Sequence, residues 1–424
     1  MQRIYLSFIL IFVTTFAFAQ TIEDALFDLA GLKFTKVSNN KYECFVKQPI
    51  DHENPEKGTF YQRLELTHVG FDAPNVMNTQ GYQLNRSRNE VATILNANYI
   101  NIEHRYCGKS VPSPLDWQYL NLEQATADLH AINQLFKQIY TGKWVSTGIS
   151  KGGQTTIFYR YFYPEDVDVS FPYVAPLNLD FEEKRIYKFL DTIGTDDCRQ
   201  KIFHVQKTLL ENREEVLGKL KWFSIGSGYK FEYLGGIEAA FEYAVLEYPF
   251  SFWQWGSDCE DLPTGDTLDT YIQSLMDIVG LSFYDDRSMK MFGPHYYQAS
   301  AQMGYYGFET KAFGDLIQTI GKAPHASFAP KNAGEISFNN DVPKATAKWL
   351  KKNGNNFIYI NGANDTWSAT RVIPTKNVNA LYYNMAGKHH GNARIKNLTA
   401  AQKAELKATL EKWLEVEVNM TALD

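Results

Sequence analysis

The pattern of apolar and polar positions predicts strands that alternate with helices in the first half of the chain. The segment "VATILNANYINIEHRY" predicts a helix followed by an apolar strand, and "LEQATADLHAINQLFKQIY" has apolar residues at helical spacing. "KWVSTGIS" predicts a short strand, and "GGQTTIFYRYFYP" a helix that ends before Pro164. Because this alternation is typical of a mostly parallel sheet with helices on both faces, we expect an α/β fold.

The pattern changes near residue 181, where charged, helical and aromatic-rich segments begin. The helix-then-strand order returns in "ATAKWLKKNGNNFIYINGANDTW", and the segment "TAAQKAELKATLEKWLEVEV" predicts an amphipathic helix with Thr399 as its N-cap. We therefore expect a core in two parts, residues 20–180 and 333–424, separated by an insertion at residues 181–332.

Residues 1–19 have the pattern of a secretory signal peptide. Arg3 precedes a short apolar run that ends in the small residues Ala17 and Ala19. This pattern predicts cleavage before Gln20 and a secreted or periplasmic protein without stable membrane insertion. The alternative is a membrane anchor, for which the run is short. The net charge of −6 argues against nucleic acid as a partner.

The four cysteines permit two disulfides in an exported chain, with three possible connectivities. We favour Cys44 with Cys107 and Cys198 with Cys259, because each pair falls within one predicted region; free buried cysteines are the alternative. The cysteines show neither a CxxC pair nor zinc-site spacing, so we expect no cysteine-based metal site. Serine hydrolysis, which the motifs around Ser150 predict, needs no metal and no cofactor.

The segment "STGISKGGQTT" places Ser150 in a Gly-x-Ser-x-Gly pattern between a predicted strand and a predicted helix. This context is typical of a nucleophile elbow, a tight turn that exposes the serine hydroxyl. The helix start would let the N–H of Lys151 bind an oxyanion. A second N–H should come from Tyr82 or Gly81 in "VMNTQGYQLN"; the alternative there is an ordinary glycine turn.

A serine nucleophile needs a histidine base and a carboxylate that orients it, in the chain order serine, acid, histidine on this architecture. Asp365 follows an apolar strand in "FIYINGANDTW", and His389 and His390 follow a strand in "LYYNMAGKHHGNARI". Both loops come after strand ends, where parallel sheets build their sites. His104 is the rival base.

Five motifs occur in order and span nearly the whole chain after residue 19: "QPIDHENPEKGTFYQRL", "NIEHRYCGKS", "TGISKGGQT", "NGANDTW" and "GKHHGNARI". As a set they resemble those of the secreted bacterial tripeptidyl-aminopeptidase-like enzymes of serine peptidase family 37, and more distantly those of the prolylcarboxypeptidase and dipeptidyl peptidase II group.

The resemblance implies an α/β-hydrolase core with a helical cap inserted before the acid and the histidine. It assigns Ser150 as nucleophile, Asp365 as orienting acid and His389 as base, with His390 as the alternative. It also implies that Glu103 and Arg105 support the site, unless they form a buried salt bridge. Departures from the family pattern are Thr366 in place of a proline, "TQGY" in place of a glycine pair, and Gln302 in place of an acid.

Candidates for the substrate subsites are acids that could bind a free α-ammonium and residues that could line the pocket before the cleaved bond. The alternatives are solvated surface acids and core packing. The acids are Glu309, Asp258 and Glu260, and the pocket residues are Tyr297, Gln298 and Trp367.

These observations predict an exported serine exopeptidase that releases dipeptides or tripeptides from free N-termini, with cleavage after proline as one preference. Its partner is a peptide substrate, and the sequence predicts no particular oligomeric state. One alternative is an esterase or other acyl hydrolase on the same fold. Another is an inactive binding protein, against which the intact serine, aspartate and histidine set argues.

Overall fold

The computed structural model describes residues 20–85, 89–321 and 324–423. The predicted signal peptide, residues 1–19, lies outside these ranges and stays a prediction. Within the described ranges no helix is long and apolar enough to cross a bilayer.

The described strands form one nine-stranded sheet in the order β1-β2-β3-β5-β4-β6-β7-β8-β9. The first three strands and β5 pair antiparallel, and from β5 onward every pairing is parallel. The prediction of a mostly parallel α/β sheet is therefore confirmed. The strands are β1 Leu32–Ser38, β2 Lys41–Pro49, β3 Thr59–Thr67, β4 Asn75–Thr79, β5 Asn98–Ile102, β6 Trp144–Ile149, β7 Val169–Tyr173, β8 Phe357–Gly362 and β9 Ala380–Met385.

Twelve α-helices lie in the described ranges, and seven of them, α5 to α11, come between β7 and β8 in the chain. Of these seven, α5 to α10 lie within the stretch that we predict to be a cap. The helices are α1 Ile22–Asp28, α2 Glu90–Ile94, α3 Leu122–Phe136, α4 Lys151–Phe162, α5 Lys184–Leu190, α6 Asp196–Glu211, α7 Arg213–Ser227, α8 Ile237–Trp255, α9 Leu268–Ile278, α10 Asp286–Gln298, α11 Asp341–Asn353 and α12 Ala400–Leu414.

The sheet is covered on both faces because its central strands are apolar throughout. β6, β7 and β8 are buried along almost their whole length, as expected for parallel strands between two helical layers. On one face β4 and β6 to β8 pack against α12 through its buried Leu406, Leu410 and Leu414. Thr399 caps this helix in a reciprocal bond pair with Gln402, as the sequence predicts.

The cysteines follow one of the two favoured pairings. Cys198 and Cys259, both in the inserted segment, form a disulfide. Cys44 and Cys107 are buried free thiols, so the pairing favoured for them is wrong. The reason is their separate surroundings: Cys44 packs in the apolar cluster under β2, β3 and α3, whereas Cys107 lies in the loop after β5, where burial raises its thiol pKa to about 12.

Candidate active site

Ser150 lies on a strained turn between β6 and α4. Its backbone has φ 58° and ψ −124°, a conformation that residues other than glycine rarely adopt. The N–H of Ser150 donates to the carbonyl of Tyr173 on β7, and its carbonyl accepts from the N–H of Gln154 in the first turn of α4. The Ser150 hydroxyl makes no capping hydrogen bond to the backbone of α4, although Ser150 is the N-cap residue of that helix.

The glycines on either side of Ser150 are required by close backbone packing. A Cβ on Gly148 would overlap the backbone of Gly152 across the turn. A Cβ on Gly152 would lie 2.6 Å from the carbonyl oxygen of Thr79 at the end of β4. The turn therefore has the tightness that a nucleophile elbow needs.

Asp365 and His390 form a buried pair beyond the ends of β8 and β9. His390 Nδ1 lies 2.7 Å from Asp365 Oδ2, and Asp365 Oδ1 accepts a second bond from the N–H of Trp367. Both side chains are almost fully buried. A histidine held by a carboxylate through Nδ1 keeps Nε2 available to exchange a proton.

This pairing corrects the choice of His389 as the partner of Asp365. His389 is partly exposed and packs against Gly256 at the end of α8, while its ring nitrogen accepts from the N–H of Gly391. The backbone N–H of His390 donates to the carbonyl of Gln254, which turns the second histidine of the pair inward. The sequence places both histidines in one loop, and only the packing against α8 separates them.

Ser150 and His390 line the same cavity, which has a volume of about 1080 Å³. Among the described residues no hydrogen bond joins Ser150 to the His390 ring, a common condition when no substrate is present. The Trp255 ring packs edge-on against His390 with ring centroids 5.6 Å apart.

Lys151 and Tyr82, the residues predicted to bind an oxyanion, both line the cavity, and no protein acceptor for either backbone N–H is found in the described chain. Lys151 is the first residue of α4, where a helix leaves its N–H unpaired. Tyr82 lines the cavity, and within the described chain its N–H donates to no protein group, while its carbonyl accepts from the N–H of His104. Gly81 is buried behind it, against the side chain of Lys151.

Glu103 and Arg105 lie behind the site and do not line the cavity. Glu103 accepts from the N–H groups of Leu84 and Lys109 and so fixes the loop that carries Tyr82. Arg105 forms a two-pronged ion pair with Asp128 at 2.7 and 2.9 Å, with both side chains fully buried. Arg105 thus forms a buried salt bridge, but with Asp128 and not, as the alternative from the sequence would have it, with Glu103.

Of the other predicted subsite residues, Trp367 lines the cavity. Gln298 is buried and accepts a hydrogen bond from the Lys151 ammonium. Tyr297 packs against Trp117, outside the cavity lining. The three predicted acids, Glu309, Asp258 and Glu260, are exposed and do not line the cavity.

Glu247 is a cavity residue that the sequence reasoning missed. It lies on α8, is 8% exposed, and accepts hydrogen bonds from Tyr306 Oη at 2.7 Å and Ser251 Oγ at 3.1 Å. Within the described residues no cation pairs with it, and burial raises its pKa to about 7. The available signal was a single acid in the aromatic stretch "YAVLEYPFSFW".

The cavity wall near Glu247 is aromatic. Phe250 stacks on Tyr306 with ring centroids 3.9 Å apart, and Trp367 packs edge-on against Phe250. The described residues hold no group of three or more histidine, cysteine, aspartate or glutamate side chains arranged for a metal ion.

Comparison with known proteins agrees with this geometry. The family model of PS-10 peptidase S37 matches residues 17–421. The chain belongs to this family. It is a serine peptidase with an α/β-hydrolase fold, which confirms the resemblance drawn from the motifs.

The family relatives are similar over most of their length. The prolyl tri/tetrapeptidyl aminopeptidase of Streptomyces mobaraensis is 32% identical, over 93% of this chain and 85% of that protein. A probable serine protease of Arabidopsis thaliana is 22% identical, over 78% of this chain and 77% of that protein. Among solved structures, a proline iminopeptidase from Mycobacterium smegmatis aligns with 88% of this chain and 97% of its own, at 11% identity and a TM-score of 0.40.

Proposed function

We propose that the protein is an exported serine exopeptidase that removes a short peptide from a free N-terminus, with Ser150, His390 and Asp365 as its catalytic triad. The observation that carries the proposal is the buried Glu247, which lines the same cavity as Ser150 and His390 and has no cationic partner among the described residues. A free substrate amine would give this acid the cationic partner that it lacks within the described residues.

The chemistry follows from the positions of these groups. His390 Nε2 takes the proton from Ser150 Oγ as it attacks the substrate carbonyl, while Asp365 holds the imidazolium. The N–H groups of Lys151 and Tyr82 bind the oxyanion. His390 then protonates the leaving amine, and water hydrolyses the acyl-enzyme, which carries the N-terminal peptide.

Glu247 has the properties of a site for the substrate α-ammonium. A carboxylate in an aromatic, water-poor wall gains most from a cationic partner, because charge-assisted hydrogen bonds strengthen where the dielectric is low. The cavity volume of about 1080 Å³ is at the upper end of the range for ligand sites, which suits a short peptide.

Cleavage after proline is supported by the aromatic wall and by the Streptomyces relative, whose name describes a prolyl tri/tetrapeptidyl aminopeptidase. Phe250, Tyr306 and Trp367 all line the cavity, and their rings give its wall the apolar surface that a pyrrolidine ring favours. Export is supported by the signal-peptide pattern of residues 1–19.

The test is hydrolysis of fluorogenic amides by the full chain. The panel contains Ala-Ala-Pro with a free N-terminus, its acetylated form, a free dipeptide ending in proline, and a p-nitrophenyl ester. We expect turnover of a free peptide, little of the acetylated one, and a loss of about 10⁴-fold or more in kcat for Ser150→Ala. Turnover of the ester alone would contradict an exopeptidase.

A further inference from the structure

The ammonium of Lys151 is buried at the junction of the elbow, the Tyr82 loop and the inserted segment. The Lys151 side chain is almost completely buried. Its Nζ donates to the carbonyl of Gly81 at 2.8 Å and to Gln298 Oε1 at 2.8 Å. Gly81 lies so close that a Cβ there would be 2.5 Å from Lys151 Cγ. The lysine therefore joins α4 to the Tyr82 loop and to α10.

We propose that Lys151 is a positioning residue for catalysis, whose ammonium holds and polarises the Gly81–Tyr82 peptide so that the N–H of Tyr82 binds the oxyanion. This inference rests on the proposed function. Through its backbone N–H the same residue supplies the other oxyanion donor, so it would act on both halves of the oxyanion site.

The Lys151 ammonium contacts the same peptide unit that carries the Tyr82 N–H. The carbonyl of Gly81 and the N–H of Tyr82 belong to one planar amide. A cation on the oxygen draws electron density from the nitrogen and makes the N–H a stronger donor, an effect that grows in a low-dielectric interior. The next carbonyl, that of Tyr82, accepts from the N–H of His104 at 3.0 Å, so the backbone is held on both sides of the N–H.

The Lys151 ammonium is surrounded by neutral groups. Within the described chain Lys151 has no carboxylate partner, although a buried charge without one is costly. The titratable groups that face it are His104 and His295, whose pKa values burial lowers, and Tyr82 and Cys107, whose pKa values burial raises. These four groups are neutral near pH 7, so the positive charge of the Lys151 ammonium is not balanced or opposed by a charge on any of them.

The same burial lowers the pKa of Lys151 to about 8. As pH rises through this value the ammonium loses its proton, so acylation should fall on the alkaline side. Stability should move the other way. Between about pH 8 and the ordinary lysine pKa near 10.4, the unfolded chain binds more protons at this residue than the folded chain, so the lysine's contribution to stability rises with pH.

Gln298 connects this arrangement to the inserted segment. Its Oε1 accepts from Lys151, and its buried Nε2 has no partner in the described structure. Gln298→Glu would place a carboxylate beside the ammonium and raise the lysine pKa. This variant therefore shifts the lysine titration without removing the lysine.

The experiment measures acylation by p-nitrophenyl acetate, which has no amino group that titrates, from pH 6 to pH 10. The proteins are wild type, Lys151→Met and Gln298→Glu, with the Ser150→Ala rate subtracted. In Lys151→Met, which keeps the backbone N–H, we expect the acylation rate at pH 7 to fall about 10- to 100-fold with little change in KM, and the alkaline decline near pH 8 to disappear. In Gln298→Glu the decline should move to higher pH.

A purely structural lysine would give other results. Wild-type acylation and an unchanged alkaline decline in folded Lys151→Met would overturn the inference. If Lys151→Met does not fold, an unchanged decline in Gln298→Glu would overturn it equally. Acylation that Ser150→Ala does not reduce would contradict the proposed nucleophile first, which separates failure of the proposed function from failure of this inference.

Discussion

Two groups of buried charges in this protein have opposite arrangements. Behind the site, Asp128 contacts both Arg105 and His52, with His52 Nε2 at 2.7 Å, and Arg105 also donates to backbone carbonyls. At the cavity, Lys151 and Glu247 are buried with only neutral partners among the described residues. The first group consists of ion pairs within the protein. In the second, the Lys151 ammonium bonds only to neutral oxygens within the described chain, and the Glu247 carboxyl accepts only from hydroxyl groups.

The histidine and aspartate contacts show the same difference. His52 with Asp128 and His390 with Asp365 both lie at 2.7 Å, so the contact distance alone does not identify a catalytic pair. Asp128 is shared with an arginine and is remote from the cavity lining, whereas His390 lines the cavity with Ser150. The residues around a histidine–aspartate pair, more than the contact distance within the pair, therefore indicate whether the pair is catalytic.

The largest expected effect is on kcat, when the histidine of each histidine–aspartate pair is substituted separately. His390→Ala removes the base and should lower kcat by about 10⁴-fold or more. His52→Ala and His389→Ala are matched controls, and each should leave kcat within a few-fold of wild type. Steady-state kinetics on the free tripeptide amide would measure this. A loss of kcat in His389→Ala that matches the loss in His390→Ala would contradict the assignment of the base.

A smaller effect, on the free energy of unfolding, should come from breaking the buried ion pair between Arg105 and Asp128. Arg105→Met leaves the Asp128 carboxylate buried without its arginine and should lower the free energy of unfolding by about 3 to 5 kcal/mol. Denaturant unfolding would measure this, and kcat per folded molecule should stay near wild type. Wild-type stability with a large loss of kcat in Arg105→Met would instead show that Arg105 acts in the catalytic site.

The elbow could be predicted from sequence because its chemistry is local. The glycines around Ser150 and the flanking strand and helix are set by neighbours in the chain, and the order of Ser150 and Asp365 follows from the topology of the sheet. His390 could not be separated from His389, since the choice depends on a bond from His390 to the carbonyl of Gln254 in the inserted segment.

The inserted segment was harder to predict for the same reason. Its helices could be anticipated from their periodicity, but the face that each presents to the cavity depends on contacts with distant parts of the chain. Examples are the packing of α8 against Thr366–Thr370 after β8 and the bond from Lys151 to Gln298 at the end of α10. The sequence search therefore selected exposed acids such as Glu309 and overlooked Glu247, whose buried position is set by packing with Tyr306.

The central claim is that the unpaired Glu247 binds the substrate amino group. The most direct measurement is the ratio of kcat/KM for free over acetylated tripeptide amide, in wild type and in Glu247→Gln. We expect the ratio to fall about 10- to 100-fold in the variant, since a charge-assisted bond is lost while the acetylated substrate is little affected.

Below about pH 7.7, where the substrate amine keeps its proton, the ratio should also depend on pH in the wild type but not in Glu247→Gln. The Glu247 pKa is about 7, so ionisation as pH rises through 7 should increase the preference for the free N-terminus. Because this folded-state pKa lies above the ordinary value of 4.5, the folded chain binds more protons at Glu247 than the unfolded chain between about pH 4.5 and pH 7. Stability should therefore fall as pH rises through this window, and Glu247→Gln should remove that fall. A ratio that is the same in Glu247→Gln and wild type would contradict the account.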